Sequence, residues 1–252
     1  MPQLVTSAEA ARRRFHLTLP NGTQTWVNSY LGMTFSEARA KGIALEPGDR
    51  PKAMPVGYLV EQEANSQIPG HFHQADEFQI FVDPGGQFGT HEIRPCLHYA
   101  GAFTPYPPIV AGEAPLRYFT LRAAPDPGAM VLPDQKELLK AAKRPYRHHL
   151  IGLDLVLPPQ GAPAATTLIE PEADGLAAWL LCVPAGGCVE GPSPRDGRGQ
   201  FLLVLAGTCR IGGQAAATHD LGFVYPDEPR LVFESGTAGA LIAVMQFART
   251  GT

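Results

Sequence analysis

The sequence lacks the features that mark membrane-spanning, secreted and nucleic-acid-binding proteins. No run of about 18 apolar residues occurs, and residues 1–14 contain no apolar segment of signal-peptide length, so we expect a cytoplasmic protein without a membrane partner. The 20 lysines and arginines are outnumbered by 24 aspartates and glutamates and form no run among aromatics, which argues against nucleic acid as a partner. A small molecule is the expected partner.

Cysteine is also scarce, and its placement excludes the common cysteine motifs. Cys96, Cys182, Cys188 and Cys209 show no Cys-x-x-Cys spacing and no pairing with nearby histidines. We therefore expect four buried thiols and no structural disulfide.

Long helical patterns are missing as well, whereas glycine and proline are frequent. The 27 glycines and 25 prolines recur between short apolar runs, a pattern typical of short strands joined by tight turns. With 252 residues, 44% of them hydrophobic, the chain can form one large or two small domains. The predicted fold class is mainly β.

Residues 70–82 carry the densest group of polar side chains at strand spacing. Alternation in a strand points His71 and His73 to the same face, and the turn at residues 74–76 brings Glu77 beside them on the next strand. Two imidazoles and a carboxylate suit one divalent transition ion (Fe, Mn, Ni, Cu or Zn) and leave positions open for a substrate. The alternative is a polar rim on an exposed strand.

These residues, with the turn at Gly85 and Gly86, resemble the first motif of the cupin superfamily. The resemblance implies a small double-stranded β-helix barrel with a metal in its mouth. The family's second motif supplies a further histidine after a glycine and a proline, and here the corresponding residues 101–112 contain none.

The second half of the chain repeats the first in order, which predicts two such barrels in tandem, joined by a short connecting helix. The matched segments are 58–60 with 179–181, 77–82 with 200–205, 98–105 with 219–226, and 116–121 with 241–246. Where the first half has His71, His73 and Glu77, the second has Pro194, Asp196 and Gln200, so we expect no metal there.

The expected domain ranges follow from the repeat. Residues 1–53 form an N-terminal extension that packs on the barrels, 54–132 the first barrel, 133–148 a helical connector and 149–252 the second barrel. In the connector, Asp134 is the expected helix cap, and Leu138 and Leu139 form its apolar side.

His98 has two interpretations. It precedes the Gly101 turn on a strand expected to cross the first barrel, so it is a candidate fourth metal ligand, ahead of His91. Its repeat counterpart, His219, persists in the half without the other ligands, which favours a structural role for both histidines.

The predicted ligand-binding residues are Gln79, Phe81 and Tyr106, with Arg94 or Arg117 as candidates to pair a substrate carboxylate. Two functions stay open: a metal-dependent enzyme of the dioxygenase type, as the resemblance implies, or a non-catalytic barrel that binds a small molecule. We also expect a homodimer.

Overall fold

The computed structural model describes residues 2–19, 21–42, 55–157 and 164–249, and strands dominate these ranges. Up to residue 152 the elements are β1 (Gln3–Val5), α1 (Ser7–Arg12), β2 (Arg14–Thr18), β3 (Gln24–Leu31), α2 (Phe35–Ala40), β4 (Val56–Gln62), β5 (Gln67–Ile68), β6 (His71–Phe72), β7 (Glu77–Phe81), β8 (Gln87–Phe88), β9 (His91–Glu92), β10 (Cys96–Ala100), β11 (Ile109–Val110), β12 (Leu116–Arg122), β13 (Met130–Val131), α3 (Lys136–Ala142) and β14 (His148–Gly152). Then follow β15 (Ala164–Ile169), β16 (Ala177–Val183), β17 (Cys188–Glu190), a 3₁₀ turn (Pro194–Asp196), β18 (Gln200–Ile211), β19 (Gln214–Ala217), β20 (Leu221–Val224) and β21 (Val232–Gln246). The mainly-β prediction is confirmed.

The chain divides into two compact units. Residues 10–153 form one, called the first barrel here, and residues 2–9 with 154–249 form the other, the second barrel. In this division residues 149–153 belong to the first barrel, where β14 pairs with β10. The expected start of the first barrel at Met54 lies outside the described residues.

The first barrel is built on an antiparallel sheet with the strand order β14-β10-β7-β12-β4-β3-β2. A smaller sheet has the order β5-β11-β8-β9, and β13 pairs with β6. Aromatic and aliphatic side chains from both sheets fill the interior, among them Phe81, Phe88, Ile109 and Tyr118. The turn before β8 depends on Gly86, whose φ is +83° and where a Cβ atom would lie 2.1 Å from the Val110 carbonyl oxygen.

The second barrel has a main sheet of the order β1-β20-β18-β21-β16-β15. Position by position, this order corresponds to β14-β10-β7-β12-β4-β3 of the first barrel. Glu77 pairs with Arg122 and Ala100 across β7, and Gln200 pairs with Gln246 and Val224 across β18. The predicted repeat of two double-stranded β-helix barrels is confirmed by this shared strand order.

The register corrects two of the predicted matches. His98 lies opposite Gln79, and the residue opposite the equivalent position in the second barrel, Leu202, is Gly222 rather than His219. His219 instead lies in the turn before β20, with φ at +71°. The match of 116–121 with 241–246 was wrong by one residue, which reverses the faces of a strand.

Helix α3 does not have the predicted cap or apolar side. Its N-cap residue is Gln135, not Asp134, without a side-chain capping bond, and it contains no buried residue. Leu138 is 37% exposed. None of the helices in the described ranges is long and apolar enough to cross a membrane.

The four cysteines are free thiols, and the prediction that all are buried was wrong. Cys209 is buried, Cys96 and Cys182 are half-buried, and Cys188 is exposed. Burial raises the pKa of Cys96 and Cys209 to about 11, so both stay protonated at neutral pH.

Candidate metal centre in the first barrel

His71 and His73 lie side by side at the end of β6, with ring centroids 5.1 Å apart. The Nδ1 atom of His71 is 2.7 Å from the Pro69 carbonyl oxygen, and that of His73 is 2.7 Å from Asp126 Oδ1. Carbonyl and carboxylate oxygens only accept hydrogen bonds, so both Nδ1 atoms carry the proton. Both Nε2 atoms therefore keep a lone pair, the arrangement of histidines that bind metals.

His98 has the same arrangement on β10. Its Nδ1 atom is 2.7 Å from Gln79 Oε1, and its buried Nε2 atom has no hydrogen-bond partner. Burial lowers the pKa of His71 to about 4 and that of His98 to about 3. Both rings are neutral at pH 7 and keep Nε2 available as an electron-pair donor.

Glu77, at the start of β7, is fully buried between two donors. Tyr106 donates its hydroxyl proton toward Glu77 Oε1 at 2.9 Å, and Arg122 Nη2 donates to Oε2 in a short ion pair. Burial is the largest single influence and raises the pKa of Glu77, but Arg122, His73, His71 and the Tyr106 hydrogen bond together lower it more, so the net shift is downward. Glu77 is a carboxylate.

The polar cluster has more hydrogen-bond acceptors than protons that can be donated to them. The Tyr106 oxygen is 2.8 Å from His71 Nε2 and 2.9 Å from Glu77 Oε1, yet a hydroxyl has only one proton to donate. Burial raises the pKa of Tyr106 well above its ordinary value, so the hydroxyl stays protonated. One acceptor beside Tyr106 and the Nε2 atom of His98 thus lack a donor, a shortage that a bound cation would relieve.

Arg122 is the cation now present in this cluster. It is 4% exposed, and its Nη2 atom donates to both Glu77 Oε2 and His73 Nε2, the latter at 3.0 Å. Its Nη1 atom donates to the Tyr58 hydroxyl at 3.1 Å, and its Nε atom has no partner. Burial is the largest single influence and lowers the pKa of Arg122, but Glu77, Tyr58, Asp126 and Tyr106 together raise it more, so the guanidinium is charged.

The nitrogen and oxygen donors of the cluster are of the types that bind a divalent ion. In the present structure, however, their positions do not allow them to coordinate one together. Among the described residues no three His, Cys, Asp or Glu side chains are placed to hold an ion together. His73 Nε2 and Glu77 Oε2 are 3.6 Å apart with Arg122 Nη2 bonded to both. An ion held by His71, His73 and Glu77, with His98 as a further nitrogen donor, requires that Arg122 move.

A cavity of about 110 Å³ adjoins the cluster. Its polar lining includes His71, His73, Gln79, Tyr106 and Arg122, and its apolar lining includes Phe15, Leu17 and Val27 of β2 and β3. Small-molecule sites usually enclose about 300–1,000 Å³, so the volume fits only a few heavy atoms.

Of the predicted ligand-binding residues, Gln79 and Tyr106 line this cavity and Phe81 does not. Phe81 is fully buried and packs against Tyr118, with ring centroids 4.9 Å apart. Arg117 is paired in two contacts with Asp83, and Arg94, whose side chain is 79% exposed, is paired with Glu92. Neither arginine lines the cavity.

The second barrel has neutral side chains at the equivalent positions. Gln200 and Gln246 stand where the first barrel has Glu77 and Arg122, and Gln200 Nε2 donates to Gln246 Oε1 at 2.9 Å. Gly222 stands where the first barrel has His98. Because His219 is not its counterpart, the repeat gives no argument for a structural role of His98.

Known structures are similar to this chain in fold, although no family model and no curated protein matches it. Pirin YhhW from Escherichia coli, solved in complex with nickel(II), aligns over 99% of this chain and 100% of its own at 12% identity and a TM-score of 0.58. A putative dioxygenase from Nostoc punctiforme aligns over 100% of this chain and 81% of its own at 12% identity and a TM-score of 0.61. A cupin 2 conserved barrel domain protein from Leptotrichia buccalis aligns over 88% of each chain at 9% identity and a TM-score of 0.50.

The chain has the cupin fold. At these identities the likeness concerns the fold and not the activity. The residues that resemble the first cupin motif, His71, His73 and Glu77, lie in one buried cluster of the first barrel. Tyr106 lies directly opposite His71, within the segment where the cupin second motif has its histidine.

Sequence reasoning missed Arg122 and Asp126. Tyr118, Thr120 and Arg122 alternate along β12 toward one face, so extending the strand predicted for residues 116–121 by one residue would have found the arginine. Asp126 follows in the loop, where it accepts from the Gln74 and Gly128 backbone amides at 2.8 Å as well as from His73. No sequence pattern marks that contact.

Proposed function

We propose that the first barrel binds one divalent transition ion at His71, His73 and Glu77, and that the protein is a metal-dependent enzyme of the dioxygenase type acting on a small oxygen-bearing substrate. The observation that carries this proposal is the common orientation of the three buried imidazoles. Each has its Nδ1 proton committed to an oxygen, and each keeps its Nε2 lone pair. Such anchoring is how proteins hold histidine ligands in place.

Each residue around the ion has a defined task. Pro69 and Asp126 orient the two imidazoles through their Nδ1 atoms, and Gln79 does so for His98. When bound, an ion (Fe, Mn, Ni, Cu or Zn) would be held by His71, His73 and Glu77 and would supply Lewis acidity or a redox centre. Tyr106, with its hydroxyl proton, is placed to donate to a substrate oxygen in the cavity. The apolar side chains of β2 and β3 limit the access of water.

Two structural neighbours support this reading without deciding the activity. One was solved with nickel(II), and another carries the description putative dioxygenase. The cavity volume favours the smaller oxygen-bearing compounds, such as short diketones, over flavonols.

The test has two steps. The protein is purified without added metal and analysed for metal content, and it is then loaded with each of the five ions while oxygen uptake is followed with diketones, hydroxybenzoates and flavonols. We expect one ion per chain and turnover of a small substrate, both lost in His71→Ala. Failure to bind any of the ions at micromolar concentration would sink the enzyme proposal.

A second candidate function, a metal-free binding barrel, is favoured by one observation. The donors of Arg122 and Tyr106 already contact Glu77, His71 and His73, so most acceptors of the cluster have a partner without an ion. In that case the same compounds would bind with unchanged affinity after treatment with a chelator.

The homodimer and the domain ranges inferred from the sequence stay predictions.

A further inference from the structure

Arg122 contacts the same atoms that an ion would bind. Its Nη2 atom is hydrogen-bonded to His73 Nε2 and to Glu77 Oε2. His73 Nε2 has a single lone pair, which cannot accept a guanidinium proton and coordinate an ion at the same time. Guanidinium and ion therefore exclude each other at His73 Nε2, and at Glu77 Oε2 they compete as two cations for one carboxylate.

A place for the released guanidinium exists beside the cluster. The Nη1 atom already donates to Tyr58, and the Nε atom has no partner. Arg122, Tyr58 and Thr120 line the cavity of about 110 Å³. A shift of the guanidinium into this cavity keeps its contact with Tyr58 and frees Glu77 and His73.

The net charge of the cluster with an ion bound favours the binding of an anion. With an ion bound, the cluster has two positive charges from the ion and one from the Arg122 guanidinium. The buried carboxylates of Glu77 and Asp126 supply two negative charges, which leaves a net charge of +1. Asp126 is engaged by His73 and by two backbone amides and does not leave the cluster. A buried charge without a partner is costly, and a guanidinium pairs well with a carboxylate.

We infer that Arg122 is a built-in competitor for the metal: its guanidinium holds the cation position in the metal-free protein, is displaced into the cavity by a divalent ion, and there binds the carboxylate of a small monoanionic ligand. Ion and anion consequently bind cooperatively, each raising the affinity for the other. This inference rests on the proposed metal site and adds to it a ligand class, small carboxylates.

The first test measures Zn(II) affinity by titration calorimetry in the wild type and in Arg122→Gln, which installs the residue of the second barrel. Arg117→Gln is the matched control, because Arg117 is also paired with a carboxylate, Asp83, but does not line the cavity. Without the competing cation we expect Arg122→Gln to bind Zn(II) at least about tenfold more tightly. Arg117→Gln should equal the wild type.

The outcomes separate this inference from the proposed function. Equal or weaker binding in Arg122→Gln, with a wild type that binds, overturns the competitor role and leaves the metal site standing. Binding in neither protein overturns both. Binding in Arg122→Gln alone overturns the displacement of Arg122 by an ion and the proposed metal-dependent enzyme, because the wild type then takes up no ion.

The second test measures the coupling with acetate, the smallest probe of the ligand class. Acetate should raise the Zn(II) affinity of the wild type severalfold and leave that of Arg122→Gln unchanged. Equal acetate effects in the two proteins would refute the anion part of the inference.

If Arg122→Gln does not fold, the wild type itself supplies the readout. In protein labelled with ¹⁵N-arginine, Zn(II) should shift the Arg122 guanidinium resonances and leave those of Arg117 in place. An unshifted Arg122 signal at saturating Zn(II) contradicts the displacement.

Discussion

The two barrels share a strand order, and one of their differences is a buried pair of side chains on two neighbouring central strands. The first joins Glu77 to Arg122 by an ion pair, and the second joins Gln200 to Gln246 by an amide hydrogen bond. In the second barrel these amides are engaged further, with Gln200 Nε2 donating to the Ser193 carbonyl at 3.0 Å and Gln246 Nε2 to the Gly175 carbonyl at 2.7 Å. The fold thus accommodates either a charged or a neutral hydrogen-bonded pair at this position.

The barrel with the charged pair contains buried side-chain atoms that lack hydrogen-bond partners, whereas the barrel with the amide pair has none among the described residues. The described part of the chain has three buried side-chain atoms without a partner, Gln62 Oε1, His98 Nε2 and Arg122 Nε, and all lie in the first barrel. Groups that lack partners in a folded protein are candidates for binding a ligand. In the described part of the chain these unpartnered atoms lie in the barrel of the charged pair, and the second barrel has a neutral, internally bonded centre.

The largest expected effect is on stability, when the Glu77–Arg122 pair of the first barrel is changed stepwise into the amide pair of the second. Glu77→Gln leaves Arg122 buried without a counter-charge and should destabilise the first barrel by about 3–5 kcal/mol. The double variant Glu77→Gln with Arg122→Gln should recover most of this loss, as the pair in the second barrel suggests. Urea unfolding followed by Trp26 fluorescence in a Trp179→Phe background reports on the first barrel alone. A double variant less stable than Glu77→Gln would contradict the equivalence of the two pairs.

The pH dependence of stability should also differ between the barrels. Burial lowers the folded-state pKa of His71 from 6.5 to about 4, so in metal-free protein the unfolded chain takes up the proton first. The free energy of unfolding of the first barrel should fall as the pH decreases from 6.5 to 4, with His71 contributing at most about 1.4 kcal/mol per pH unit.

His71→Asn should reduce that slope. Among the described residues of the second barrel no histidine is buried, so its transition, followed by Trp179 in a Trp26→Phe background, should lack this contribution. Equal slopes for the two barrels would show that the buried histidines do not govern the acid response.

Asp126 should affect metal binding without touching the ion. Asp126→Asn weakens the acceptor that orients His73, and loss of such a partner typically costs about 10–100-fold in metal affinity. Calorimetric titration with Zn(II) measures the change, and Glu92→Gln on the exposed β9 is the control. Unaltered affinity would mean that His73 is held by its other neighbours.

The smallest expected effect concerns the two histidines that the sequence repeat had matched. His219 lies in a turn with φ at +71°, a conformation that asparagine also adopts readily. His219→Asn should lower the free energy of unfolding of the second barrel, followed by Trp179 in a Trp26→Phe background, by no more than about 1 kcal/mol. His98→Asn should weaken Zn(II) binding by the first barrel. If His98→Asn changed only the stability of its barrel, and by the same amount as His219→Asn, the match of His98 with His219 would be supported again.

Local patterns predicted the centre of the site, and non-local pairing decided the rest. His71, His73 and Glu77 lie within one strand-turn-strand segment, where a two-residue period and a short turn determine which side chains meet. Arg122 reaches Glu77 only because β12 pairs with β7 in one register, and an error of one residue turns it to the other face. His98 was matched to His219 for the same reason, since residue spacing in a loop cannot reveal a shifted strand.

The central claim is that the first barrel alone holds one divalent ion. The direct measurement is the Zn(II) content per chain, by elemental analysis after equilibrium dialysis, of Arg122→Gln and of Arg122→Gln combined with His73→Ala. The account predicts one ion in the former and none in the latter, since the remaining donors do not complete a site. An ion retained at full stoichiometry without His73, or no ion in either protein, would contradict it.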